Sequence, residues 1–226
     1  MITNDFPIKE LEVNFEKRNI KVLWFDSFHD IKDYLLEQIP RTTTVGIGNS
    51  KTLKHMNITK ALRVRGNVVY DKSFAITEDE IRRIKRNSLM AEFYISSSNA
   101  VSVDGKIINI DHSGNRVAAL AYGPDKVYIV VGRNKITATS DDAMKRARNT
   151  AAPLNAKRAE YNPPCVSAGY CVVSTFSFGK CASGGGLLSA THCSSAERVC
   201  YVVSCIEGQS IEDRMTLLIA NEEEGF

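Results

Sequence analysis

No cysteine occurs in the first 164 residues of this chain, although six stand in the last third. A disulfide framework usually staples a whole small secreted domain, so thiols crowded into one corner point instead to a local metal or redox role. Also missing is any apolar run near the ~20 residues that a membrane-spanning helix needs. The opening residues, MITNDFPIKELEV, mix acids, proline and lysine where a secretory leader would carry an apolar core, which places the protein in the cytoplasm. Neither sign of charge dominates. The 29 Lys and Arg against 26 Asp and Glu leave a net +3, which gives no argument for nucleic acid or an anionic membrane as partner. The basic runs RRIKR (82 to 86) and KRAR (145 to 148) fall on predicted helices, where they read as solvated faces. There is no internal repeat, no low-complexity linker and no dinucleotide fingerprint, because Lys51 stands where GxGxxG requires a third glycine; GKCASGGG at 179 to 186 lacks P-loop order.

What is present suits one α/β domain over residues 1 to 226: 43% hydrophobic and 24% charged residues are ordinary for a globular chain of this length. IKVLWFDS at 20 to 27 is a continuous apolar run fit for a strand buried on both faces, and Ser27 then caps a helix whose Ile31, Leu35 and Ile39 recur at helical spacing. TTTVGIGNS repeats the idea, a β-branched run, a Gly-x-Gly turn and a polar helix start, with the helical region running on to Gly66. NVVYD is the next strand, and Thr77 with Glu80 forms a capping box. AEFYISSS reads as a strand, Asp104-Gly105 as a hairpin turn, KVYIVVG as another buried strand, and Ser140 as the cap of the following helix. RVCYVVSCIEG and RMTLLIAN close the chain as two strands. The pattern predicts a mostly parallel sheet with helices on both faces, an antiparallel hairpin excursion, and a C-terminal cysteine-bearing insertion.

Two stretches gather polar chemistry at strand ends. In GIGNSK, Gly46, Gly48, Asn49 and Ser50 follow a strand and open a helix, so backbone N–H groups and the helix dipole can receive a phosphate or carboxylate; the alternative is a tight turn without ligand. In IDHSGNRVAAL, Asp111, His112, Asn115 and Arg116 lie within six residues. Arginine can hold a carboxylate bidentately and Asp or His can move protons near neutral pH, which suits a small anionic 2-hydroxy or 2-oxo acid or a phosphorylated sugar. The structural alternative is that Asp111 shapes the turn, Asn115 caps the next helix and Arg116 makes an ion pair. Asn99, after YISSS, points by position to the same cleft.

GIGNSKTL (46 to 53), NIDHSGNRVAALAYGPDKVYIVVGRNKI (109 to 136), AAPLNAKR (151 to 158), the cysteine region and the ending ANEEEGF together resemble the lactate-utilisation (LUD) domain family. The resemblance implies the fold shared by sugar-phosphate isomerases and CoA transferases, with a ligand cleft at the carboxyl ends of the strands. It implies a part in oxidising lactate or a related organic acid beside iron-sulfur oxidoreductase subunits. A stand-alone isomerase or acyl-transferase, with Asp111 or His112 as base and Arg116 as anion clamp, is one rival; a non-catalytic assembly subunit is another. Family members usually carry a small residue where His112 stands.

The resemblance also selects Cys165, Cys171, Cys193 and Cys200, in a cysteine-rich subregion over 161 to 205, as ligands of an iron-sulfur cluster, with zinc as the alternative. Gaps of five and six residues lack the tight Cys-x-x-Cys knuckle, so ordinary buried thiols stay open as a reading, above all for Cys205 in its apolar strand. The chain departs from the family between Cys171 and Cys193, where a 21-residue Gly/Ser-rich stretch at 172 to 192, carrying Cys181 and ending at His192, reads as a loop.

Overall fold

A computed structural model describes residues 7 to 172 and 193 to 226. The strands in chain order are β1 (Ile20–Phe25), β2 (Thr44–Ile47), β3 (Val68–Tyr70), β4 (Phe93–Ser96), β5 (Ala100–Ser102), β6 (Lys106–Asp111), β7 (Lys126–Gly132), β8 (Ile136–Thr137), β9 (Val202–Ile206) and β10 (Met215–Ala220). The helices are α1 (Ile8–Glu16), α2 (Phe28–Gln38), α3 (Lys51–His55), α4 (Ile58–Arg65), α5 (Glu78–Leu89), α6 (Asn115–Ala121), α7 (Ser140–Arg146), α8 (Ala152–Arg158) and α9 (Pro164–Ala168), with a π-helical stretch, Ala147–Ala151, joining α7 to α8.

Six strands in the order β1-β10-β7-β4-β2-β3 make one sheet in which every pair is parallel. Its two faces bury alternate residues of the same strand. Leu217 and Ile219 of β10 join a core with α1, α6 and the second sheet, while Leu218 and Ala220 join a core with α2, α3 and α4. The hairpin predicted at Asp104-Gly105 is present, with Gly105 at φ +85°, yet it is no excursion of the main sheet. It belongs to a separate sheet of order β8-β5-β6-β9. One face of that sheet, with Val101 and Ile107, packs toward the main sheet; the other, with Ile108 and Ile110, packs on Ala143, Met144 and Ala147 of the α7 region. The two closing strands therefore part company: β9 pairs with β6, while β10 inserts between β1 and β7.

Local signals explain most boundaries. Ser27 and Asp30 form a reciprocal capping box at α2, as Thr77 and Glu80 do at α5. The helical region before Gly66 is broken in two at Asn57, which sits at φ 52°, and Gly66 ends α4 in the left-handed region. The cap of α7 is Thr139, whose hydroxyl accepts from the Asp142 N–H, and not Ser140, which is the first helical residue. Helix α1 is an element that reading the opening residues only for a leader overlooks; Leu11 and Phe15, one turn apart, are its buried stripe. No helix among the described residues is long and apolar enough to cross a membrane.

Candidate functional site

At the carboxyl ends of β2, β4 and β7 the chain leaves a cleft of about 690 Å³, the position where open α/β sheets bind ligands. It is lined by Asn49 and Ser50 from the turn after β2, by Ser97, Ser98 and Asn99 after β4, and by Asp111, His112, Asn115 and Arg116 around the end of β6. Two sequence stretches more than sixty residues apart thus share one wall system. Gly46 and Gly48 are not among the lining residues and have a steric role. A Cβ at Gly46 would stand 2.7 Å from Cδ2 of Tyr94 and 2.9 Å from the Ser88 carbonyl; one at Gly48 would stand 2.6 Å from Ser96 Oγ. Ser50 caps α3, but that helix is only five residues long, so its dipole adds little to anion binding.

The cleft is electropositive because of residues that motif reading passed over. Lys51, Lys54, Lys72, Lys85, Arg116, Lys135 and Arg158 line it, against two carboxylates, Glu78 and Asp111. Desolvation, then the neighbouring Lys85, lowers the Lys72 pKa. Lys135 lies deepest. It enters from the 3-10 turn Arg133–Lys135 after β7, is 2% exposed, and donates from Nζ to Ser97 Oγ at 2.9 Å and to Thr52 Oγ1 at 3.2 Å. Burial, then Arg146 and Arg116, pushes its pKa down to about 7, with Glu224 opposing. In the sequence GRNKI it looks like a surface lysine; only its place just past the end of a buried parallel strand hints at the cleft.

The residues expected to act chemically are bonded in ways that qualify those roles. Both oxygens of Asp111 are engaged by backbone: Oδ1 accepts from the His112 N–H at 2.8 Å and Oδ2 from the Arg116 N–H at 2.9 Å. The carboxylate therefore closes the start of α6, whose formal cap is Gly114 and not Asn115. The Arg116 guanidinium donates from Nη1 to the Ser97 carbonyl (3.0 Å) and to Asn109 Oδ1, and from Nη2 to Asn99 Oδ1 (2.9 Å) and the Ile110 carbonyl (2.7 Å). Its four terminal N–H bonds are spent on protein acceptors, which leaves its charge, more than its fork, to act on a ligand. Asn99 Oδ1 is held by Arg116 and by the Ile110 N–H at 2.8 Å. Asn115 Oδ1 accepts from Ser113 Oγ at 2.9 Å, and Lys85 Nζ reaches that same hydroxyl at 3.2 Å. His112 stacks on Tyr161 (centroids 5.6 Å, 20°) and meets Tyr201 edge-on (5.4 Å, 81°).

A second cavity of about 260 Å³ is lined by Cys165, Cys171, Cys193 and Cys200 together with Ala152, Pro163, Arg198 and Val199. Val199 also lines the cleft, so the two cavities share a wall. Cys165 rides on α9 and the Cys171 N–H is held by Asn149 Oδ1 at 3.2 Å. Arg198 ties the other pair, donating to the carbonyls of Cys193 (2.7 Å) and Cys200 (2.8 Å). Burial, then Cys171, Cys200 and Cys193, pushes the Cys165 thiol up. All five described cysteines are free thiols, and among the described residues no three His, Cys, Asp or Glu side chains stand close enough to hold one metal ion. Cys205 packs from β9 against the core under α7. Cys181 and His192 lie outside the described residues.

A family model described as the LUD domain matches residues 8 to 219. A crystal structure of a DUF162 family protein from Deinococcus radiodurans is similar in fold, with a TM-score of 0.50 and 11% identity over 94% of this chain and 95% of that one. No curated protein matches.

Proposed function

Since this chain belongs to the LUD domain family, which is associated with lactate utilisation, we propose that it is a component of lactate or related organic-acid oxidation. On this reading the cleft takes a small anionic ligand, and the adjoining cavity takes an iron-sulfur cluster held by Cys165, Cys171, Cys193 and Cys200. The observation that carries it is the pairing of the two cavities across Val199, one lined by seven Lys and Arg side chains and two carboxylates, the other by four thiols. A zinc ion bound at about 2.3 Å by each sulfur would draw the sulfurs within about 4 Å of one another. Four thiols line that one cavity, and thiolates are the donors that iron-sulfur clusters take. When bound, such a cluster supplies one-electron transfer. The chain's own contribution is to hold the anion with Lys51, Lys54 and Arg158, to fix the cleft floor with Arg116 and Asp111, and to keep the 193 to 200 segment folded through Arg198. Partner iron-sulfur oxidoreductase subunits would take the electrons onward.

The stand-alone isomerase or acyl-transferase reading, with Asp111 or His112 as base and Arg116 as clamp, draws less support, because backbone and side-chain partners already engage Asp111 and Arg116 and the His112 ring packs against Tyr161 and Tyr201. The test is anaerobic purification of the full chain with iron, zinc and sulfide analysis, beside Cys165→Ser and Cys193→Ser, and calorimetric titration with L-lactate and pyruvate. Iron with labile sulfide, lost in both variants, and binding that weakens with salt are expected. Stoichiometric zinc, or no metal, overturns the cluster; no anion binding overturns the cleft.

A further inference from the structure

We infer that Lys135 is a nucleophile whose Nζ condenses with the keto carbon of a 2-oxo acid held in the cleft, forming a covalent imine. The inference rests on the reading of the cleft as an anion site and goes beyond it. A buried ammonium ordinarily recruits a carboxylate, since leaving its charge unpaired is costly. Lys135 has instead two neutral hydroxyls as hydrogen-bond partners, Ser97 and Thr52, while Arg146 and Arg116 act on it with charge of its own sign and the more weakly felt Glu224 carboxylate only partly offsets them. That environment favours the uncharged amine, and its pKa of about 7 gives it a lone pair in a large fraction of molecules at neutral pH.

The surroundings supply the other requirements of carbonyl addition. Rim cations hold the carboxylate, and the cleft gives Lys135 access to a ligand although its side chain is almost wholly enclosed. The backbone at Gly225 closes one side of the amine, where an added Cβ would stand 2.9 Å from Nζ. Ser97 and Thr52 each donate and accept, so they can take a proton from Nζ and return one to oxygen. In the step itself the Nζ lone pair forms the N–C bond and the carbonyl π pair moves to oxygen, which is protonated. The carbinolamine then loses its C–O bond as water, and the nitrogen lone pair closes the imine. Nothing is oxidised or reduced.

The test uses the full chain, pyruvate in one arm and glycolaldehyde phosphate in the other, borohydride reduction, and peptide mapping by mass spectrometry. Expected is a peptide containing Lys135 heavier by the mass of pyruvate less one oxygen, absent from Lys135→Met, with a yield that grows as pH rises through about 7. Mapping the wild-type chain decides the matter even if the variant folds poorly. An adduct on rim lysines but not on Lys135 overturns the inference, as does an adduct with the phosphorylated aldehyde alone. Calorimetric binding of pyruvate without any adduct overturns the imine and leaves the anion site standing; no binding of either anion overturns both.

Discussion

Replacing Arg116 by leucine separates a clamp for ligand from a strut for the fold. Its guanidinium meets four acceptors, and two of these keep another donor when it is removed: the Ser97 carbonyl retains Ser96 Oγ at 3.0 Å and Asn99 Oδ1 retains the Ile110 N–H at 2.8 Å. Asn109 Oδ1 and the Ile110 carbonyl lose the donor it supplied, and Asn109 is fully buried. An acceptor stranded in the interior costs about 1–3 kcal/mol, so two of them put the loss near 4 kcal/mol. For a chain of this size each kcal/mol moves the melting temperature by about 2–4 °C, which predicts a fall of about 8–16 °C. The assay is reversible urea and thermal unfolding of the ligand-free protein, followed by circular dichroism. A ligand-free loss below about 1 kcal/mol, together with collapse of anion affinity, would refute the reasoning, because the donors assigned to the fold would then have been available to ligand all along.

Two further outcomes follow from packing and charge. Gly46→Ala puts a Cβ 2.7 Å from the Tyr94 ring and 2.9 Å from the Ser88 carbonyl, and overpacking of this kind costs about 1–3 kcal/mol. Urea midpoints would show it, and an unchanged midpoint would mean that β2 and α5 separate more freely than their contact suggests. The folded-state pKa of Lys135 is depressed from 10.5 to about 7, so between those values the unfolded chain holds a proton that the folded chain has released. Stability should rise with pH across that window by up to about 1.4 kcal/mol per unit relative to Lys135→Met, and level off below and above it. Parallel stability curves for the two proteins would show that the amine titrates normally.

How far the site was legible in the sequence depended on whether a residue's function lay in local or in distant partners. Strand runs such as KVYIVVG and the capping boxes at Ser27 and Thr77 are local, and they fold as the pattern predicts. Asn49, Ser50 and Asn99 follow ends of parallel strands, which converge at one edge of the sheet, so position alone brought them to one cleft, while Asp111 and Arg116 reach it from the end of β6 in the second sheet. What position cannot state is which donors are already spent. Arg116 reads as a free fork until Asn109, Asn99, Ser97 and Ile110 are placed around it. Lys135 presents the opposite case. Its sequence neighbours are a turn, and its unusual proton affinity comes first from the loss of water and then from Arg146 and Arg116, none of them a property of GRNKI. Four cysteines at gaps of five and six residues spell no metal motif, yet α9, Asn149 and the Arg198 bonds deliver their side chains to one cavity. The second sheet escaped notice because alternation sets which face a strand buries and not which sheet it joins; the pairing of β9 with β6, nearly a hundred residues apart, is a tertiary decision. The cations of the cleft and the four thiols one wall away are therefore brought together by where the strands end and by what the turns after them deliver.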